Sequence, residues 1–233
     1  MGEGRLKIGV VALVVALVLA VAGCGGDDDS SSDNAHINHA TGKSHGAIPD
    51  NRVGTPPPAA KEAEAKNLKK LAERAGCRLY LTVGETSNKK LPPDSPTPKY
   101  EVEPAISGPH VEPPYQQADG AYRSRAQTID YVGSLDYGRM VIQYAPDLAE
   151  KIQLKLKGLY DTMYGGTLLF PNEVMNWALT VSTWRNLLAC TGWGNRATIE
   201  AIRAFGKATW GKSGNEPLSD FPVEGPTPAK PAG

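Results

Sequence analysis

Histidine is the side chain through which this chain could most readily perform acid–base, nucleophilic or metal chemistry, and the 233 residues contain four of them. His36, His39 and His45 lie in a polar stretch near the N-terminus. Imidazole chemistry in a folded domain therefore depends on His110. A zinc site enclosed by protein needs about four ligands, so we expect no resident cofactor, and a divalent metal at His110 and Asp136 is the weaker alternative.

The residues near His110 in sequence could supply a hydrolytic triad. Such a mechanism would place His110 between Ser107 or Ser134 and an acid, either Asp119 or Asp136. However, the chain contains no nucleophile elbow, no P-loop lysine motif, no dinucleotide-binding glycine fingerprint and no metalloprotease helix. These features favour a protein that is not an enzyme. Since Lys plus Arg and Asp plus Glu are both 25, the net charge is zero, and we expect no nucleic-acid partner.

The N-terminus has the pattern of a bacterial lipoprotein signal. Arg5 and Lys7 precede an apolar run over residues 8–22, and small residues then lead into Cys24. The pattern predicts a signal peptide over residues 1–23 and an acyl chain such as palmitate on Cys24. The expected location is the extracytoplasmic face of the cell membrane, with the lipid as the membrane contact. The alternative is an uncleaved single-span anchor in which Cys24 has no role.

Two further cysteines, Cys77 and Cys190, remain when Cys24 is set aside. Outside the cytoplasm such a pair usually forms a disulfide. We therefore expect a Cys77–Cys190 bond, and two buried free thiols are the alternative.

Composition divides the mature chain into three parts. Residues 24–60 have almost no large apolar side chains and predict a disordered tether. Residues 61–210 predict a single globular domain. Residues 211–233 contain several prolines and predict a disordered tail.

Hydrophobic periodicity predicts an α+β or small α/β domain with a compact mixed sheet flanked by helices. A long proline-rich loop over residues 84–122 is expected to hold one brief strand near residues 99–102. The other predicted elements are a helix over 61–75, a strand over 78–83, a strand over 139–144, a helix from Pro146 and Asp147 to Met163, strands over 167–170 and 177–184, and a helix over 196–209 with Asn195 as its N-cap.

Several segments between residues 75 and 216 resemble an uncharacterised family of secreted or membrane-bound bacterial proteins, domain of unknown function 3105. The resemblance lies in Ala75-Gly76-Cys77, Ser107-Gly108-Pro109-His110 with Gly120-Ala121-Tyr122, residues 134–144, Ala178-Leu179-Thr180 with Trp184-Arg185, and Gly214-Asn215-Glu216 after the last helix.

The resemblance also implies a departure from the family pattern. In the family the third segment reads His-Ser-Leu-Glu-His-Gly, whose histidines correspond to Gly133 and Tyr137 and whose glutamate corresponds to Asp136. If the family's three histidines form a metal or proton-transfer site, this chain is a divergent member that retains one of them, His110.

The sequence therefore favours a lipid-anchored module of unknown molecular function without catalysis. It would present the loop over residues 107–122 and the Asp136–Tyr137 corner to an unknown small ligand or envelope protein. The candidate ligand-binding residues are Ser107, His110, Tyr122, Asp136 and Tyr137. The alternatives are a metal-associated or hydrolytic protein with a degenerate site at His110, and a purely structural role in which His110 caps a turn.

Overall fold

A mixed sheet of six strands forms the centre of the computed structural model, which describes residues 46–59, 67–163 and 165–215. The strands are β1 (Cys77–Leu81), β2 (Lys90–Leu91), β3 (His110–Val111), β4 (Gly120–Ala121), β5 (Met140–Tyr144), β6 (Thr167–Pro171), β7 (Leu179–Thr183) and β8 (Asn186–Cys190). The helices are α1 (Leu68–Arg74), α2 (Thr128–Asp136), α3 (Glu150–Tyr160) and α4 (Arg196–Thr209).

The sheet has the strand order β1-β8-β7-β5-β6-β4, and β2 and β3 pair separately as a parallel ribbon. The pairs β1–β8, β8–β7 and β7–β5 are antiparallel, whereas the pairs β5–β6 and β6–β4 are parallel. This is the mixed sheet of an α+β domain, as the sequence predicts. All described residues belong to one compact unit of the chain.

Strand β5 shows how the sheet separates two apolar cores. All five of its residues are buried. Met140, Ile142 and Tyr144 belong to the core beneath α1, α3 and α4, whereas Val141 belongs to the core beneath α2. Alternate residues of a strand point to opposite faces, so a continuous apolar run is what a centrally placed, doubly covered strand requires.

Helix α4 has the predicted bounds and buries the predicted apolar side, including Ile199, Ile202 and Phe205. Asn195 occupies the N-cap position, but its side chain makes no capping hydrogen bond. Instead, the backbone N–H of Gly194 donates to Oγ1 of Thr198 at 2.8 Å.

Some predicted elements are shorter than expected or absent. Helix α1 begins only at Leu68, where the Asn67 side chain caps it, and residues 60–66 lie outside the described ranges. Pro146 and Asp147 form a turn before α3, which begins at Glu150. The expected strand near residues 99–102 is absent because the backbone there bonds to a side chain, with the N–H of Glu101 donating to Glu85 at 3.2 Å. The sequence did not predict α2, β8 or the three two-residue strands β2, β3 and β4, which lie within the expected loop over residues 84–122.

The predicted disulfide is present between Cys77 and Cys190, which face each other in the β1–β8 register. The bond joins residues 113 positions apart. In the chain-entropy model a loop of that size stabilises the folded state by about 4–5 kcal/mol. It fixes the edge strand β1 to the sheet.

Residues 46–59, which we call the N-terminal strap, pack against the domain although composition placed them in a disordered tether. The N–H of Asp50 donates to the carbonyl of Ala121 at 2.8 Å, and the N–H of Arg123 donates to that of Ile48 at 2.7 Å. The strap thus extends the β4 edge of the sheet. The folded part therefore begins before residue 61, the expected boundary, because backbone pairing orders this segment despite its few large apolar side chains.

Residues 1–23, for which the sequence predicts a signal peptide, and Cys24 lie outside the described ranges. Within residues 46–59, 67–163 and 165–215, no helix combines the length and the apolar character needed to cross a bilayer.

The strap also crosses α3 at a point where two glycines meet. The N–H of Thr55 donates to the carbonyl of Leu154 at 2.8 Å. A Cβ atom added to Gly158 would clash with the backbone of Thr55, and one added to Gly54 would clash with the backbone of Gly158. The strap can reach the helix only because both residues lack side chains.

We predict that Gly158→Ala destabilises the protein, although alanine normally favours a helix interior by roughly 0.5–1 kcal/mol over glycine. The clash with Thr55 should lower the free energy of unfolding by roughly 1–3 kcal/mol, as overpacking does. Urea unfolding measures this loss, and faster trypsin cleavage after Arg52 should show that the strap is displaced.

Gly192→Ala is the matched control, because an added Cβ there meets no atom within 4 Å. A Gly158→Ala variant as stable and as resistant to trypsin as the Gly192→Ala control would show that the strap does not depend on this contact.

Candidate functional site

Lys90, His110 and Asp136 meet at a buried point between the β2–β3 ribbon and the end of α2. Lys90 and His110 are partners in the parallel register, so their side chains lie next to each other. Nζ of Lys90 lies 3.0 Å from Nε2 of His110 and 2.7 Å from Oδ2 of Asp136. Nε2 of His110 lies 3.3 Å from the same carboxylate oxygen. An ammonium, an imidazole and a carboxylate thus form one closed triangle.

Both ring nitrogens of His110 have partners within the protein. Nδ1 lies 2.7 Å from the carbonyl oxygen of Gly108, to which it donates. Nε2 then either accepts from the Lys90 ammonium or, in a protonated ring, donates to Asp136. The ring also makes an edge contact with Trp184, with 5.5 Å between ring centroids. Its side chain has no exposed surface.

The Asp136 carboxylate is equally enclosed and accepts hydrogen bonds at both oxygens. Oδ2 accepts from Lys90, and Oδ1 accepts from the backbone N–H of Asn215 at 3.1 Å and from the Asn215 side-chain amide. Burial alone would raise the pKa of this carboxyl, but the contacts with His110, Lys90 and Asn215 outweigh it and hold that pKa well below its usual range.

Lys90 is the member of the triangle that reaches solvent. Its side chain is 27% exposed, whereas that of Asp136 is fully buried. Its ammonium also lies 4.9 Å from the centroid of the Tyr137 ring, a cation–π distance. Tyr137 therefore lies beside the triangle, as a half-buried ring at its outer side.

The other residues of the expected hydrolytic triad do not join His110. Ser107 is buried, and its hydroxyl has no hydrogen-bond partner among the described residues, but both nitrogens of His110 are already bonded elsewhere. Ser134 donates to the carbonyl of Gln117 at 2.7 Å. Asp119 accepts from Arg139 at 3.3 Å and from the N–H of Gly166 at 2.7 Å.

Tyr122 lies in a different place from the triangle. Its hydroxyl donates to the carbonyl of Ala118 at 2.7 Å, and its ring packs in the core beneath α2. Of the five candidate ligand-binding residues, the structure therefore brings together His110, Asp136 and Tyr137.

Two members of the site, Lys90 and Asn215, were missed by sequence reasoning. Asn215 fell in the expected disordered tail, yet residues 211–215 belong to the folded part. The signal available in the sequence was the Gly214-Asn215-Glu216 segment of the family resemblance. The structure shows why a glycine precedes Asn215: Gly214 has a φ of +116°, and an added Cβ would clash with the carbonyl of Asp136. Lys90 lies in the proline-rich stretch and belongs to no recognisable sequence motif.

The position that a metal would take between His110 and Asp136 is occupied by the Lys90 ammonium. Nε2 of His110 and Oδ2 of Asp136 point to a common position, but the Lys90 ammonium is within hydrogen-bond distance of both. The described part of the chain has no group of three or more His, Cys, Asp or Glu suited to hold a metal ion. At Gly133, where the resembled family carries a histidine, any Cβ would clash with the carbonyl oxygen of Val111.

Comparison with known proteins places most of the site within a recognised family. The family model described as "Protein of unknown function (DUF3105)" matches residues 94–219, which are 126 of the 233 residues. That range contains His110, Asp136 and Asn215 but not Lys90. No curated protein and no solved structure matches the chain. As the sequence resemblance predicted, the chain belongs to the DUF3105 family, whose function is unknown.

Proposed function

We propose that this protein is a lipid-anchored protein of the extracytoplasmic face of the cell membrane, whose domain binds an envelope protein without catalysing a reaction. The observation that carries the non-catalytic part is the closed triangle of Lys90, His110 and Asp136, in which the protein's own groups occupy every side-chain polar atom. A general acid or base must reach a substrate atom directly or through one water.

Opening the triangle to a substrate would be costly. His110 and Asp136 are both fully buried. Removing one partner from a buried ion pair leaves an uncompensated charge, which costs several kcal/mol. A metal-associated or hydrolytic protein, the alternative, would first have to move Lys90 away from both of its partners. The triangle is better suited to holding β2, β3, α2 and the segment around Asn215 together.

The lipid anchor is predicted from the sequence and is consistent with the disulfide of the domain. An acyl chain on Cys24 contributes about 0.8 kcal/mol per buried methylene, and several chains hold a protein stably to a bilayer. A disulfide such as Cys77–Cys190 is typical of oxidising compartments outside the cytoplasm. The 22 residue steps from Cys24 to Gly46, where the described strap begins, span at most about 75 Å. The domain would therefore work close to the membrane.

The surface that supports partner binding lies around the triangle rather than in it. Three exposed residues follow β3 directly: Glu112, Pro113 and Pro114. The next residue, Tyr115, is half-buried, and so is Tyr137, which lies beside the triangle. Rigid prolines and amphipathic aromatic rings present contact area at a low entropic cost. The triangle fixes the base of this loop through His110.

The anchor predicts that Cys24→Ala abolishes acylation and, in chains from which residues 1–23 have been cleaved, moves the protein from the membrane pellet to the soluble fraction after carbonate washing. Loss of the sulfur removes the acylation site and with it the hydrophobic attachment. Fractionation followed by mass spectrometry of the N-terminal peptide measures both effects.

Ser32→Ala is the matched control for this experiment, since it alters the same polar stretch and leaves Cys24 in place. It should stay with the membrane and carry acyl chains. A wild-type protein that begins at an unmodified Met1 would rule out the lipid anchor.

The triangle predicts that Asp136→Asn lowers the free energy of unfolding by roughly 2–4 kcal/mol at neutral pH, because Lys90 loses its counter-charge. The pKa of Asp136 is lowered by folding, so its carboxylate stabilises the native state above the ordinary value near 4 and loses this effect as the pH falls further. The stability difference between wild type and variant should therefore shrink in acid. Urea midpoints across the acidic range measure it.

Asp147→Asn, at an exposed turn, is the control and should change stability little at any pH. An Asp136→Asn variant as stable as the wild type at neutral pH, or a difference that stays constant in acid, would show that the carboxylate does not support the fold.

A further inference from the structure

A second site lies away from the triangle, in a cleft of about 220 Å³ between the N-terminal strap and the first turn of α4. Residues 56–58 of the strap, all prolines, form one wall, and Trp193 and Ile199 also line the cleft. We call this the strap cleft. Its walls are predominantly apolar and, because the prolines have fixed φ angles, one of them is rigid. Such a surface suits a flat apolar group.

Trp193, one of the residues that line the strap cleft, carries an unpaired hydrogen-bond donor. Nε1 of Trp193 is buried, and no group among the described residues accepts from it. Leaving a buried donor unsatisfied costs roughly 1–3 kcal/mol. A ligand in the cleft would remove this cost if a small shift of the indole brought the covered N–H within reach of its acceptor atom.

The charges that line the cleft are all positive. They belong to Lys155 of α3 and Arg196 of α4. Nε of Arg196 donates to Glu200 at 2.7 Å, which offsets its charge, whereas Lys155 has no ion pair within the described residues. The cleft also adjoins the N-terminus of the 14-residue helix α4, whose N-cap Asn195 makes no side-chain capping bond. The macrodipole adds positive potential there.

We propose that the strap cleft binds a small aromatic carboxylate. The ring would lie against the proline wall and Ile199, and the carboxylate would accept from Nε1 of Trp193 and pair with Lys155. Each of the three features selects one property of the ligand: apolar walls select the ring, the unpaired indole N–H selects an acceptor, and the uncompensated ammonium selects a negative charge. The proposal does not depend on the lipid anchor or on the function proposed for the domain.

The test is a calorimetric titration of the full chain with 3-phenylpropanoate, compared with 3-phenylpropanamide, which has the same ring and an acceptor but no charge. We expect saturable 1:1 binding of the acid and binding of the amide weaker by about tenfold, which corresponds to about 1.4 kcal/mol. Lys155→Gln should weaken binding of the acid to a similar degree and leave that of the amide unchanged. Trp193→Phe, which keeps a ring and removes the N–H, should weaken both ligands.

Lys151→Gln is the matched control, because this lysine belongs to the same helix but does not line the cleft. It should bind the acid as the wild type does. The proposal is overturned if the acid shows no saturable binding up to roughly 10 mM, a concentration that would detect even very weak sites. It is equally overturned if acid and amide bind alike, or if Lys151→Gln and Lys155→Gln weaken binding equally.

Discussion

The domain depends on the need to compensate one buried carboxylate. Asp136 ends α2 with no exposed surface, and an ionised carboxylate can persist there only with a counter-charge and hydrogen bonds. Lys90 supplies the charge from β2, and Asn215 supplies two donors from the segment after α4. His110 joins from β3. Four segments that are distant in sequence are therefore fixed at one point. The contact between Lys90 and His110 also stabilises the pairing of the two-residue strands β2 and β3.

The same compensation is the physical basis for the proposal that His110 and Asp136 carry out no chemistry. A histidine and an aspartate in contact are the usual beginning of a catalytic or metal site. Here the ammonium of Lys90 occupies the position that a proton donor, a metal or a substrate would need. The two positions where the family carries further histidines add no ligand. Gly133 leaves no room for a side chain, and Tyr137 packs its ring near the Lys90 ammonium. For this reason the proposed partner-binding surface lies around the triangle, and the proposed ligand site lies in the separate strap cleft.

Much of the fold could be predicted from the sequence, and the exceptions have physical causes. The apolar run of β5 and the one-sided pattern of α4 follow directly from their burial, and the disulfide followed from an even pair of cysteines. Helix α2 gave no such signal, because all nine of its residues are buried and four of them are polar, so no exposed polar face contrasts with an apolar one. Composition predicted a disordered tether for the strap because the strap has few large apolar side chains. Backbone hydrogen bonds and a contact between two glycines attach it to the domain instead. Of the site, His110, Asp136 and Tyr137 were predicted; Lys90 and Asn215 reach it only through tertiary structure.

The most direct test of the central claim is a calorimetric titration with Zn(II) and Cu(II). The chain should carry His36→Ala, His39→Ala and His45→Ala, so that the N-terminal histidines cannot bind the metal. If Lys90 fills the position between His110 and Asp136, neither metal should bind stoichiometrically at neutral pH. One equivalent of tightly bound metal that disappears on the further change His110→Ala would contradict the account, since it would show that the lysine yields its place and that the histidine and aspartate are ligands.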